Sequence, residues 1–271
     1  MYPYISIGDI ELPTYIIIFG VGYVLMTIYA CRIGNEYGYC KKDMIGTSVY
    51  ALVGLVLGAK LLYFATKIPY VFTEMDRFEE MWVYAPMEVI DYLFGGMVYY
   101  GGLIGAAIGA YIYTKKAFLV YRPYMEIYAP LVPLVHGFGR IGCFMAGCCY
   151  GIEYNGMLAV CCTIDNVCRF PVQLVEAIFN IIIAVVLEIV RRRRIKKWKT
   201  MQVGDKENSK PLFGFYLIYY AIIRFILEFL RGDMERGGIW VLSTSQIISI
   251  VVLPIGLWIL FGRRLKVDRK A

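Results

Sequence analysis

The feature that most constrains this chain is a series of apolar runs, each about as long as an α-helix needs to be to cross the roughly 30 Å hydrocarbon core of a bilayer. They fall near residues 13–31, 45–66, 97–114, 125–146, 172–190, 212–231 and 243–262. Soluble domains are roughly 45–50% apolar and about 25% charged, whereas this one is 59% hydrophobic and 18% charged. The runs therefore predict an all-α, polytopic membrane protein with about seven transmembrane helices. It is expected to form a single transmembrane domain over 1–271, with loops 67–96 and 147–171 on one side and a basic loop, 191–211, on the other.

Short loops rich in Lys and Arg stay cytoplasmic. Loops 32–44, 115–124 and 191–211 and the tail from 263 hold 20 of the 28 basic residues against five acidic ones. The alternate set, 1–12, 67–96, 147–171 and 232–242, holds 12 acidic residues and four basic ones. This asymmetry places the N-terminus outside and the C-terminus in the cytoplasm. The run Arg191 to Arg194 with Lys196, Lys197 and Lys199 directly follows an apolar span, where a polybasic segment anchors on anionic headgroups, so no nucleic-acid partner is expected. The first 12 residues carry Asp9 and Glu11 and no Lys or Arg, unlike a cleavable signal.

An ionisable group at membrane depth is costly and calls for an explanation. Span four carries His136 and Arg140, and span six Arg224, Glu228 and Arg231. Span five has Gln173, Glu176 and Asn180, and span two has Lys60. Residues 224, 228 and 231 share one helical face with Tyr220 a turn earlier, and His136, Arg140 and Cys143 repeat that spacing. Pro130, Pro133, Gly137, Gly139, Gly142 and Gly147 make span four a poor continuous helix. Such interruptions are tolerated at membrane depth where protein or a wet cavity satisfies the backbone. The segment FGGMVYYGGLIGA adds five glycines at the start of span three. Two buried arginines on different helices, beside glycine-rich backbone, point to an anion cavity opening to the outer leaflet. Planar guanidinium forks suit a phosphate, and a membrane-embedded phosphate is most simply a phospholipid headgroup.

The segments GGMVYYGGLIGA, GRIGCFMAGCCYG, FPVQLVEA and YYAIIRFILEFLRGD resemble, in order and spacing, the bacterial prolipoprotein diacylglyceryl transferases, and the likeness covers nearly the whole chain. The resemblance implies transfer of the diacylglyceryl group of phosphatidylglycerol to the thiol of the lipobox cysteine in a lipoprotein signal peptide, at the bacterial cytoplasmic membrane. It places the family's functional positions on Tyr15, Arg140, Gly151, Tyr220, Arg224 and Glu228. Three positions depart from the pattern. The family's H-G-G-L reads Tyr100-Gly101-Gly102-Leu103, its Asn after G-R-x-G is Cys143, and its Glu in G-E is Cys148.

The expected chemistry needs a group to take the thiol proton and cations to stabilise the leaving phosphate. Arg140 and Arg224 are assigned to the phosphate, with Glu228 holding Arg224. His136, the chain's only histidine, a residue type whose unperturbed pKa is about 6.5, replaces the missing histidine as base, and Tyr100 is the second choice. Tyr15, Gly101, Gly102, Cys143, Cys148, Gly151, Tyr220 and Arg231 complete the expected substrate site, with no metal and no cofactor. Six cysteines, Cys143, Cys148, Cys149, Cys161, Cys162 and Cys168, fall on the outer side, where disulfides persist. They allow a disulfide tying loop 147–171 to the end of span four, a redox or nucleophilic cysteine, or a metal site without the usual zinc spacing. Rival functions are transfer to a different acceptor, an intramembrane thiol oxidoreductase, and a lipid-binding paralogue without turnover. The acidic, aromatic loop 67–96 reads either as an interfacial amphipathic arm or as a solvated loop.

Overall fold

A computed structural model of the protein describes residues 2–8, 10–119, 121–161, 166–200, 211–232, 238–239 and 242–262. Cys162, nearly all of the linker-like stretch 200–210 and the basic tail from 263 lie outside the described residues. The chain is an all-α membrane protein. Among the described residues five helices are long and apolar enough to cross a bilayer, and a sixth span forms if one pair bent by 73° is counted together. The lipid-facing surface is apolar, and charged groups sit inside. Val24, Ile28, Val185 and Trp258 are exposed, while Glu176, Asn180, Arg191 and Arg224 are buried, as expected where lipid is the solvent and polar groups must find protein partners.

The helices fall into two compact units. The first comprises Met1–Tyr37 and Arg122–Ala271. It begins with a hairpin of β1 (Tyr4–Ile7) and β2 (Ile10–Pro13), in which Tyr4 pairs with Pro13 and Ile5 with Leu12. Helix α1 (Thr14–Glu36) follows directly.

The second unit, Gly38–Tyr121, contains α2 (Lys41–Thr73), α3 (Met75–Tyr84), α4 (Pro86–Phe94) and α5 (Tyr99–Lys116). Gly54 and Gly58 of α2 face Gly101, Gly105 and Gly109 of α5, so closely that a Cβ on Gly105 would strike the Gly54 carbonyl. Small residues bring membrane helices together in this way because lipid-exposed apolar side chains supply little drive to associate. Lys60 donates to the Phe94 carbonyl at 2.6 Å. The acidic, aromatic segment is helical rather than a plain loop: α2 runs well beyond its expected end at residue 66, and α3 and α4 follow it.

The first unit resumes with α6 (Tyr121–Tyr128) and α7 (Leu131–Ala146). The expected span 125–146 is thus broken at Pro130, but α7 itself runs unbroken through Gly137, Gly139 and Gly142. It ends at Gly147, which takes the left-handed φ of +72°. Strands β3 (Val160–Cys161) and β4 (Cys168–Arg169) form a small hairpin closed by a Cys161–Cys168 disulfide. This corrects the expected cross-link, because the bond lies within loop 147–171 instead of tying it to α7. Cys143, Cys148 and Cys149 carry thiols.

Helix α8 (Val172–Thr200) packs against α7 and against α9 (Phe213–Leu227). After α9 the chain tightens into a 3-10 turn at Glu228–Leu230. The short pair β5 (Gly238–Ile239) and β6 (Leu242–Ser243) precedes α10 (Thr244–Phe261). Ser243 and Gln246 form a reciprocal capping box at the start of α10, satisfying two of the helix's orphan N–H groups. Ala129, Ile183, Leu187, Leu212, Tyr216, Leu217 and Tyr220 make the apolar core between α8 and α9.

Candidate functional site

Glu176 organises the polar interior of the first unit. It lies one turn into α8, on the buried face that also carries Gln173 and Asn180, and is only 1% exposed. A carboxylate taken out of water needs strong partners, and two helices supply them. From α7, the Arg140 Nε lies 3.0 Å from one carboxylate oxygen and the His136 Nε2 lies 3.7 Å from it. From α9, the Tyr220 hydroxyl donates to the same oxygen at 3.3 Å, and the Arg224 Nη1 stands 3.9 Å from the other.

Around this centre the remaining groups interlock. The Arg224 Nη2 pairs with Glu228 at 2.6 Å and donates to the Ser245 hydroxyl of α10 at 2.9 Å. Arg231 approaches Glu228 at 4.0 Å. The Nδ1 of His136 is 3.3 Å from the Tyr216 hydroxyl, and its ring meets Tyr220 edge-on at 4.8 Å. Asn180 donates to the Glu176 carbonyl at 2.9 Å.

Of the residues expected from sequence, His136, Arg140, Tyr220, Arg224, Glu228 and Arg231 converge on this cluster. Gly151 joins through its backbone, which bridges to Arg231. A Cβ at Gly151 would strike the Phe170 carbonyl and crowd that of Leu230, so only glycine allows the approach. Tyr15 of α1 rests against Gly142, two residues from Arg140. Arg231 reaches the cluster differently from the expected single helical face: the helix ends at Leu227, and the 3-10 turn swings Arg231 into extended backbone. Tyr100, Gly101 and Gly102 belong to the second unit, at the start of α5, where Gly101 packs on Gly58.

Sequence reasoning passed over the centre itself. Glu176 was visible as an ionisable residue within FPVQLVEA, but the motif did not show that Arg140 and Arg224 both turn towards it. Ser245 and Tyr216, polar groups supplied by α10 and α9, carried no signal beyond their polarity.

Charge decides what the arrangement can do. Among the described residues, the cluster holds three guanidinium groups, Arg140, Arg224 and Arg231, against two carboxylates, Glu176 and Glu228. Two of the guanidinium groups, Arg140 and Arg224, reach the one carboxylate of Glu176 from different helices, in a region nearly closed to water. An anion bearing oxygens that accept from guanidinium forks would find paired cations there. Beyond the cluster, at the end of α7, the sulfurs of Cys143, Cys148 and Cys149 lie within 4.8 Å of one another.

The family profile described as prolipoprotein diacylglyceryl transferase matches residues 3–262. A phosphatidylglycerol–prolipoprotein diacylglyceryl transferase of Clostridium tetani is 32% identical over 244 residues, covering 88% of each chain. The second such protein of Clostridium perfringens is 29% identical over 96% of this chain and 94% of its own. That of Rickettsia bellii is 30% identical over 94% of this chain and 92% of its own.

Proposed function

The chain belongs to the prolipoprotein diacylglyceryl transferase family, and on that premise we propose that it moves the diacylglyceryl group of phosphatidylglycerol onto the lipobox cysteine thiol of a lipoprotein signal peptide. A sulfur–carbon bond forms at the glyceryl carbon while that carbon's bond to the phosphate oxygen breaks, and glycerol phosphate leaves. The thiol proton passes to a base. The donor is an anionic phosphodiester, which matches the two guanidinium groups, Arg140 and Arg224, that the buried cluster brings together from different helices. That match is the observation that carries the reading.

Charge on the phosphate grows as its ester bond to the diacylglyceryl carbon breaks. Cations already fixed beside it therefore stabilise the transition state more than the bound donor. Arg140 and Arg224 are assigned to the phosphate. Glu176 and Glu228 hold the two guanidinium groups in place before substrate arrives, so little reorganisation is needed during reaction. His136 is assigned as the base, one helical turn from Arg140, with Tyr100 as the alternative. Tyr15, Gly151, Tyr220 and Arg231 line the donor site in this reading, and Gly101 and Gly102 belong to the substrate path. The charge asymmetry of the loops supports a cytoplasmic-membrane protein with N-terminus outside and with the site open to the outer leaflet.

Complementation tests the acceptor. In a bacterium depleted of its own diacylglyceryl transferase, expression of this chain is expected to restore lipoprotein maturation and growth. A well-expressed protein that fails to rescue would overturn the lipobox assignment and favour transfer to another acceptor.

A further inference from the structure

We propose that Cys143, Cys148 and Cys149 form a binding site for one thiophilic cation, of the Zn²⁺ or Cu⁺ class, at the C-terminal end of α7. The backbone builds the arrangement. Helix α7 stops in a left-handed Gly147 (φ +72°), and Cys149 is left-handed as well, at φ +59°, a conformation uncommon for a residue with a Cβ. Between these reversals the Cys148 N–H bonds the Cys143 carbonyl at 3.1 Å. Gln173 on α8 holds the turn from the other side by donating to the Cys148 carbonyl at 2.8 Å. The chain is thus folded back so that both later thiols come close to the first, and the Cys148 thiol points to the Cys143 carbonyl at 3.7 Å.

The geometry suits a metal more closely than the spacing suggested. The missing C-x-x-C pattern argued against one, but a helix end that reverses brings residues i, i+5 and i+6 to one point. The three sulfurs lie within 4.8 Å of one another. Even at that separation the centre of the triangle is about 2.8 Å from each sulfur, so closing to a Zn–S bond of about 2.3 Å moves each by about 0.5 Å. Thiolates are soft ligands that select Zn²⁺ and Cu⁺. Cys148 is exposed, which gives an ion a way in and leaves a fourth position open. The nearby Cys161 and Cys168 close a disulfide while these three retain their thiols, and a disulfide would use only two of them. On binding, three thiols release three protons, and a divalent ion leaves the site with one net negative charge.

The site stands independently of the transferase reading, so its test does not use activity. The full chain, purified in detergent, reduced and desalted without oxygen, is titrated with Co²⁺ alone and then challenged with Zn²⁺. A near-ultraviolet thiolate-to-cobalt band saturating at one ion per chain and displaced by Zn²⁺ is expected. Affinity should fall by more than about tenfold in Cys143→Ser and Cys149→Ser and stay unchanged in Cys31→Ser and Cys40→Ser. In the wild type, Zn²⁺ should slow maleimide labelling of Cys143, Cys148 and Cys149 together while leaving Cys31 and Cys40 unaffected, a readout that needs no folded variant. Absence of a saturable band, its survival in Cys143→Ser, or unprotected labelling of the three thiols would overturn the proposal. So would a quantitative disulfide between Cys143 and either neighbour in protein isolated without reductant.

Discussion

Replacing Glu176 by Gln removes the charge at the centre of the cluster while keeping the side chain's size and an oxygen to accept from Tyr220. The carboxylate stands 3.0 Å from Arg140 and 3.9 Å from Arg224. At an effective dielectric of about 20, unit charges at these separations attract by roughly 5 and 4 kcal/mol before desolvation is counted. Removing one partner of a buried ion pair typically costs about 3–5 kcal/mol, because the other charge is left uncompensated. For a chain of this size each kcal/mol shifts the melting temperature by about 2–4 °C, so Glu176→Gln is expected to melt roughly 10 °C below wild type in detergent. The substitution makes the cluster one unit more positive. Added phosphatidylglycerol should therefore raise the variant's melting temperature by more than the wild type's, whereas a zwitterionic phospholipid should not. Fluorescence-detected melting of both proteins, with and without lipid, provides the comparison. A variant melting within about 2 °C of wild type, or equal stabilisation of both by the donor, would show that Glu176 is not the counterion of the two arginines.

Arg224→Lys keeps the charge but cannot hold Glu228 and Ser245 through one planar fork. Its kcat/KM is expected to fall about tenfold, equivalent to about 1.4 kcal/mol, with the melting temperature little changed. His136→Ala should lower single-turnover transfer by about a hundredfold or more without weakening donor binding; unchanged transfer would move the base to Tyr100. In the second unit, Gly105→Ile places a branched side chain against the Gly54 carbonyl and should abolish monodisperse protein on gel filtration. Gly20→Ala on α1 meets nothing within 4 Å and should be neutral or stabilising by up to about 1 kcal/mol.

Much of the site was legible because a membrane helix advertises its polar face. His136 with Arg140, and Arg224 with Glu228, announce themselves by i, i+4 spacing in otherwise apolar runs; the second two pair directly, and the first two meet at Glu176. What one helix cannot show is which neighbour it faces. Glu176 has the same standing in the sequence as Lys60, yet one is the hub of the cluster and the other caps a carbonyl in the second unit. Continuity is equally hidden. Nothing in LEFLRGD marks that the helix tightens after Leu227, so Arg231 arrives from extended backbone. Six cysteines within 26 residues permit many pairings, and only the hairpin of β3 and β4 selects Cys161 with Cys168. The segment 67–96 mixes acidic and aromatic residues evenly enough to suit a loop or a helix, and its packing on α2 decides for helix.

The claim that buried arginines hold the donor's phosphate is tested most directly by following labelled diacylglyceryl from phosphatidylglycerol to a lipobox peptide, using wild type and the single variants Arg140→Ala and Arg224→Ala. Removing one preorganised donor at a developing anion costs about 10²–10³ in rate, and each variant is expected to lose at least that much. Wild-type rates in either one would contradict the phosphate assignment.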